Sequence, residues 1–147
     1  MGTLLDTTVF IEFERILRRV PLASAMDEVR TRLEGRIGVA EAVGIATITA
    51  SELLHCVHRA TPEYRARREA FVEGVLSAFP PLPFDLLAAR VHARLWAQLA
   101  SEGRDVGAHD RMVAATAIAA GWQVGTANIR HFEHVAGLVV VDLGAKP

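Results

Sequence analysis

The chain has 147 residues, of which 51% are hydrophobic and 22% are charged, and it contains one cysteine. This length favours a single domain over residues 1–147, and the composition excludes disordered, collagen-like and coiled-coil proteins. One cysteine excludes an internal disulfide and a thiolate-rich zinc site, and it is typical of the reducing cytoplasm. The 16 basic and 17 acidic residues nearly balance, which argues against binding nucleic acid through bulk positive charge.

The N-terminal region begins directly with a short apolar run and has no basic segment followed by a long apolar core. A signal peptide is therefore not expected. No stretch approaches the ~20 apolar residues that a membrane span requires. These features predict a cytoplasmic protein without a membrane partner.

Hydrophobic periodicity predicts that strands and helices alternate along the chain. The predicted strands are 2–5, 43–48, 123–126 and 138–141, and the predicted helices are 9–20, 25–36, 49–60, 62–78, 85–101 and 108–120, with an extended proline segment at 80–83 and a helical turn at 129–134. Alternation of this kind is typical of a mainly parallel sheet covered by helices on both faces. We find no internal repeat or second domain in the sequence.

Acidic residues follow the predicted strands at points where a parallel sheet forms its ligand crevice. Asp6 comes directly after the first strand, Glu52 lies about one helical turn after the second, and Asp110 lies in the first turn of a later helix. Thr126 and Asn128 occur at the end of the next strand. We expect these five side chains to converge from segments that are far apart in sequence.

Three ionised carboxylates at short range raise one another's pKa values unless a cation compensates them. Oxygen ligands without histidine or thiolate suit Mg²⁺, with Mn²⁺ as an alternative. Each acid alone also has an ordinary structural interpretation: Asp6 as a helix cap, and Glu52 and Asp110 as first-turn acids that favour the helix dipole. Their joint position after strand ends favours a metal site.

Four ordered motifs resemble those of PIN-domain proteins, and most closely those of VapC toxins from bacterial VapBC toxin–antitoxin systems. The motifs are LLDTTVFIE at 4–12, TASEL at 49–53, GRDVGAHDRMVAA at 103–115 and TANIRHF at 126–132. The resemblance runs from end to end of the chain. It implies a single PIN domain with an α/β/α sandwich fold around a central, mainly parallel sheet.

The resemblance also implies a Mg²⁺- or Mn²⁺-dependent endoribonuclease that leaves 5′-phosphate and 3′-hydroxyl ends. Asp6, Glu52 and Asp110 match the catalytic and metal-binding acids of the family. Thr126 matches the hydroxyl residue of the last motif, and Asn128 stands where many members have aspartate. These last two residues are predicted to bind substrate by orienting water or phosphate, and the missing charge makes a second metal less favoured than the first.

A VapC toxin implies a VapB-type antitoxin that neutralises it, and a homodimer or a toxin–antitoxin hetero-oligomer. Phe10 and Phe13 on the first helix are candidates for such a contact, although the helical pattern assigns both to the core. RNA affinity would come from local arginines, with Arg111 and Arg130 as candidates because they flank the motifs. His131 and His134 are predicted to lie on the surface.

Other functions fit the residues less well. A receiver domain needs a lysine after its last core strand, and the only lysine is Lys146 in the tail. A haloacid-dehalogenase-type phosphatase needs aspartate at the position of Thr8, and a Rossmann nucleotide binder needs a glycine-rich first turn. The alternative within the family is a catalytically degenerate PIN domain that binds RNA or protein without cutting.

Overall fold

Five parallel strands form the centre of the protein in the order β3-β2-β1-β4-β5. The computed structural model describes residues 1–144, so Lys146 lies outside the described residues. The strands are β1 (Gly2–Leu5), β2 (Ala42–Ala46), β3 (Pro81–Leu82), β4 (Gln123–Thr126) and β5 (Val140–Asp142). The helices are α1 (Thr7–Ile16), α2 (Leu22–Ile37), α3 (Thr47–Arg59), α4 (Pro62–Ala78), α5 (Leu86–Ser101) and α6 (Ala108–Ala120), with a 3₁₀ turn at Ile129–His131.

Strand β1 lies at the centre of the sheet because every one of its residues is apolar or small enough to be buried on both faces. It pairs with β2 on one side and with β4 on the other, so that Leu5 lies opposite Ile45 and Gly125. The backbone N–H of Asp6 continues this ladder with a 2.9 Å bond to the carbonyl of Gly125. Asp6 is thus held at the carboxyl end of the central strand. The strand order reverses at β1, with β2 and β3 on one side and β4 and β5 on the other, and an open parallel sheet forms its ligand crevice at such a point.

Two hydrophobic clusters cover the two faces of the sheet. One contains residues of α1 to α4, including Phe10 and Val75, and the other is built around α5, α6 and Phe132. Ala114 and Ala117 on α6 are fully buried, so this helix lies close to the sheet as its small residues predict. The predicted α/β/α sandwich is confirmed.

Several predicted boundaries are wrong by two to four residues. Helices α1 and α2 begin at Thr7 and Leu22 instead of residues 9 and 25. Helix α1 ends at Ile16 instead of Val20, and the guanidinium of Arg67 caps its end by donating to the carbonyls of Leu17 and Val20. Thr47 and Ile48 open helix α3 instead of closing β2. The last strand begins two residues later than predicted, at Val140.

A short edge strand was predicted only as extended chain. Pro81 and Leu82 pair with Ile45 and Ala46 of β2, and the side-chain hydroxyl of Thr47 donates to the carbonyl of Leu82 at 2.9 Å. Proline lacks an N–H for a sheet ladder and is tolerated on such an edge. Across residues 1–144, no helix is both long and apolar enough to cross a membrane.

Candidate metal-dependent active site

The carboxylates of Asp6, Glu52 and Asp110 are brought together from β1, α3 and α6 at the carboxyl end of the sheet. They lie close enough together that the carboxylates of Asp6 and Glu52 both contribute to raising the pKa of Asp110. Two of the ordinary structural interpretations fail here. Asp6 stands at the N-cap of α1 but its side chain caps no backbone N–H, and Glu52 lies in the second turn of α3 because that helix begins at Thr47.

Asp6 is almost completely buried, with 3% of its surface exposed. Its Oδ2 accepts hydrogen bonds from the hydroxyls of Thr8 and Thr126, both at 2.8 Å. By contrast, Asp85 does cap its helix, accepting from the backbone N–H of Ala88 at 2.9 Å. The hydroxyls of two threonines therefore orient the carboxylate of Asp6, which makes no hydrogen bond to the backbone N–H groups of α1 as an N-cap residue ordinarily does.

Glu52 faces the same crevice from α3. Its Oε1 accepts a 2.8 Å hydrogen bond from the hydroxyl of Thr7, and its Oε2 lies 3.5 Å from Nδ1 of His109. Thr7 is the residue after Asp6, so the first turn of α1 connects the first two acids. Nothing in the helical pattern of α3 alone predicts this contact.

Asp110 has the most perturbed acidity of the site. Burial, together with the nearby carboxylate of Asp6 and then of Glu52, raises its pKa to about 6, and His131 and His109 partly oppose this rise. Its Oδ2 lies 3.5 Å from Nδ1 of His131. A carboxyl whose pKa is raised this far, first by burial and then by like charges, is typical of a cluster that lacks compensating positive charge.

Thr126 and Asn128 lie beside the acids, but their side chains contact protein groups. The hydroxyl of Thr126 is fully buried and donates to Asp6. The amide Nδ2 of Asn128 lies 2.9 Å from Nε2 of His131, whose other nitrogen faces Asp110. Their binding of water or phosphate stays a prediction, and the contacts observed position Asp6 and His131.

The sequence did not identify His109 and His131 as part of the site. Their side chains are 57% and 42% exposed, and each adjoins one of the acids. His131 was assigned to the surface, which is correct for its exposure but omits its contact with Asp110. The available signal was position: His109 directly precedes Asp110, and His131 lies three residues after Asn128.

Arg111 is engaged inside the protein, contrary to its candidacy as an RNA contact. Its guanidinium carbon lies 5.0 Å from the ring centroid of Trp96, and its Nη1 donates to the carbonyl of Val106. Its Nε is buried and has no hydrogen-bond partner among residues 1–144. Arg130 is exposed, as an RNA contact requires.

The donor set suits a hard cation in its chemistry, although within residues 1–144 no three His, Cys, Asp and Glu side chains are arranged so that they could hold a metal ion. Mg²⁺ seldom needs such a cage, since it keeps several waters and is usually held by one or two carboxylates and substrate phosphate. The cluster of negative charge around Asp110 fits this kind of ion. The residues present are thus compatible with Mg²⁺ or Mn²⁺.

Comparisons with known proteins cover nearly the whole chain. A family model described as PIN domain matches residues 3–138. The chain is 33% identical to Ribonuclease VapC1 of Rickettsia felis over 147 residues, which is 99% of each protein. It is 36% identical to the tRNA(fMet)-specific endonuclease VapC of Shigella flexneri over 99 residues, which is 67% of this chain and 73% of that protein.

A solved structure supports the same relationship. The structure of DNA-bound VapBC from Salmonella typhimurium is similar to this chain with a TM-score of 0.77 and 29% sequence identity. The match covers 97% of this chain and 98% of the other. Fold and sequence therefore agree over the segments that contribute all three acids.

Proposed function

The chain belongs to the PIN-domain family and, within it, to the VapC ribonucleases, and we propose that it is an endoribonuclease toxin neutralised by a VapB-type antitoxin. The observation that carries this proposal is the convergence of Asp6, Glu52 and Asp110, with the pKa of Asp110 raised to about 6 by burial and by the other two acids. A degenerate binding module would have no need to gather acids at such an electrostatic cost. Because the substrate would be cellular RNA, we place the protein in the cytoplasm.

Asp6 and Asp110 would hold Mg²⁺, or alternatively Mn²⁺, and Glu52 would reach it directly or through water. When bound, such a cation polarises a water molecule and neutralises charge that develops on the scissile phosphate. The two threonine hydroxyls orient Asp6 by donating to its Oδ2. Thr7 orients Glu52 in the same way by donating to its Oε1.

The exposed parts of the site define where RNA would approach. Asp6 and Thr126 lie at the buried floor, whereas His109 and His131 are partly exposed beside Glu52 and Asp110. RNA therefore reaches the acids from the side of the two imidazoles. With the net charge near zero, local groups must supply phosphate affinity, as an exposed arginine such as Arg130 can do.

The antitoxin would bind a groove of about 490 Å³ formed by α1, α2 and α4. Phe10 and Phe13 are buried, which confirms their core assignment and leaves Ile11 as the exposed apolar residue of α1 in the groove. The rim carries more arginine than acid, comprising Arg15, Arg18, Arg67, Arg68 and Glu14. An amphipathic segment with acidic side chains suits this surface. The similar structure of a VapBC complex supports a partner of this kind.

The test of the proposed function is RNA cleavage by the purified chain with Mg²⁺. We expect Asp6→Asn to reduce the rate of RNA cleavage by more than about 100-fold. Loss of a residue that only supports a metal ligand reduces activity by about 10- to 100-fold, and loss of the ligand's own charge should reduce it further. The matched control is Glu69→Gln, which neutralises an exposed acid on α4 and should cleave like the wild type. Equal cleavage by Asp6→Asn and the wild type would refute a carboxylate-held metal, and RNA binding without any cleavage by the wild type would favour the degenerate module.

A further inference from the structure

One oxygen of Asp6 is already fully engaged by the protein. Both threonine hydroxyls reach Oδ2, each at 2.8 Å, while no hydrogen bond from residues 1–144 reaches Oδ1. Asp6 is 3% exposed, so water can do little to replace a missing donor. The two carboxylate oxygens of this residue therefore have different surroundings.

The direction of these hydrogen bonds follows from proton counting. A threonine hydroxyl has one proton, and a charged carboxylate is its strongest acceptor. Thr8 Oγ1 accepts from the backbone N–H of Ala127 at 3.0 Å, and Thr126 Oγ1 accepts from the backbone N–H of Asn128 at 3.0 Å. With both protons directed to Asp6, every donor is satisfied. Neither the 3.2 Å approach of the two hydroxyls nor the longer 3.3 Å approach of Thr126 Oγ1 to the carbonyl of Asn128 then needs a proton of its own.

Two short hydrogen-bond chains thus run from consecutive peptide N–H groups through Thr8 and Thr126 to the same oxygen. Hydrogen bonds in series polarise one another and strengthen the terminal bond. Thr8 also joins the start of α1 to the loop after β4, since it bonds Asp6 and Ala127 at once. A change at Thr8 would therefore alter the orientation of Asp6 without removing its charge.

We propose that Thr8 is a positioning residue which, together with Thr126, commits Oδ2 of Asp6 to the protein and leaves Oδ1 as the oxygen that takes the divalent cation. This inference rests on the proposed function, because it assumes that Asp6 binds a cation. The role of Thr8 follows from its contacts with Asp6 and Ala127, and its position near the start of a helix does not predict it. The ligand class is a hard divalent cation with a preference for carboxylate oxygen.

The test compares Thr8→Val, which keeps the shape of the side chain and removes the hydroxyl, with Thr8→Ser, which keeps the hydroxyl. Mn²⁺ binding to each protein is measured without RNA, from the electron paramagnetic resonance signal of the free ion. Thr49→Val is the matched control, because Thr49 is fully buried and its hydroxyl has no hydrogen-bond partner in the part of the chain that the structure describes. Thermal unfolding establishes that each variant is folded.

We expect Thr8→Val to raise the Kd for Mn²⁺ by at least about 10-fold, as the loss of an outer partner of a metal ligand does, and Thr8→Ser and Thr49→Val to bind like the wild type. In a crystal structure of the wild type with Mn²⁺, Asp6 should coordinate through Oδ1 alone, a readout that stands even where Thr8→Val fails to fold. An unchanged Kd for folded Thr8→Val, or coordination through Oδ2, would overturn the inference while leaving the proposed function intact. A wild type that neither binds Mn²⁺ nor cleaves RNA would overturn both.

Discussion

The three acids of the site differ because their immediate neighbours differ. Two hydroxyls donate to buried Asp6, and one hydroxyl donates to Glu52. Burial, and then the nearby carboxylates of Asp6 and Glu52, raise the pKa of Asp110 to about 6.

The raised pKa of Asp110 predicts a pH-dependent stability of the metal-free protein. Because burial and the neighbouring acids raise this pKa from 3.8 to about 6, the folded state binds the proton more tightly than the unfolded state. Its contribution to stability is present below pH 4 and is lost as the pH rises through 6. At pH 7 the ionised carboxyl then costs at most about 3 kcal/mol.

Asp110→Asn should consequently raise the melting temperature at pH 7 in the presence of a chelator, and this gain should disappear near pH 4. Thermal unfolding of both proteins at the two pH values measures the effect, with Glu69→Gln as the control for loss of an exposed acid. A variant that is less stable than the wild type at pH 7 would show that Asp110 is favourably paired in the folded state.

At this scale the sequence could indicate the acids but not their partners. Asp6 and Asp110 are recognisable because they stand where a strand ends or a helix starts, which is a local property. The bonds of Thr8 to Ala127 and of Thr7 to Glu52 join residues that are 119 and 45 positions apart. Such pairings depend on the register of β1 against β4 and on the placement of α3, and neither is encoded in a local pattern.

The elements themselves were largely predictable where burial is periodic. Helices α4 and α6 and strand β4 have the predicted bounds, since turn residues stand at their ends. The errors occur where tertiary contacts decide: Arg67 caps α1 early, and β3 becomes a strand only because β2 offers an edge. The strand propensity of Pro81 and Leu82 alone does not predict that pairing.

Gly44 in β2 provides a test of how tightly the β3 edge is packed. A Cβ at this position would lie 2.9 Å from the backbone carbonyl oxygen of Pro80, which accepts the backbone N–H of Ile45. We expect Gly44→Ala to lower the free energy of unfolding by about 1–3 kcal/mol, as overpacking does. Urea denaturation measures this change.

Gly35→Ala is the matched comparison within α2. A Cβ there would meet no atom within 4 Å, and alanine favours a helix over glycine by roughly 0.5–1 kcal/mol. Stability should therefore rise. Equal effects of the two substitutions would mean that β3 can move away from β2 at little cost in stability and is not tightly packed at this edge of the sheet.

On the scale of the whole molecule, the acidic site and the arginine-rich groove are built from different elements. The site uses β1, α3, α6 and the loop after β4, whereas the groove lies between α1, α2 and α4. The near-neutral net charge therefore does not reveal these two surfaces of opposite sign. RNA cleavage and antitoxin binding should then be separable by mutation.

Ile11→Glu should weaken antitoxin binding by at least 10-fold, a loss of about 1.4 kcal/mol, because it places a charge at an exposed apolar position of the groove. Cells that express this variant together with its VapB-type antitoxin should stop growing, whereas cells that express the wild-type pair should grow. The control is Val39→Glu, since Val39 is 80% exposed outside this groove. Full rescue of Ile11→Glu cells by the antitoxin would place the contact elsewhere.

The most direct test of the cation-dependent ribonuclease site is the chemistry of the RNA ends produced by the purified wild-type chain. Total RNA is incubated with the protein in a chelator or in Mg²⁺, and the new ends are sequenced by methods selective for 5′-phosphate or 5′-hydroxyl. We expect no cleavage in the chelator, and cuts with 5′-phosphate and 3′-hydroxyl ends when Mg²⁺ is restored. Cleavage that persists in the chelator, or that leaves 5′-hydroxyl and cyclic phosphate ends, would contradict a metal-held site at Asp6, Glu52 and Asp110.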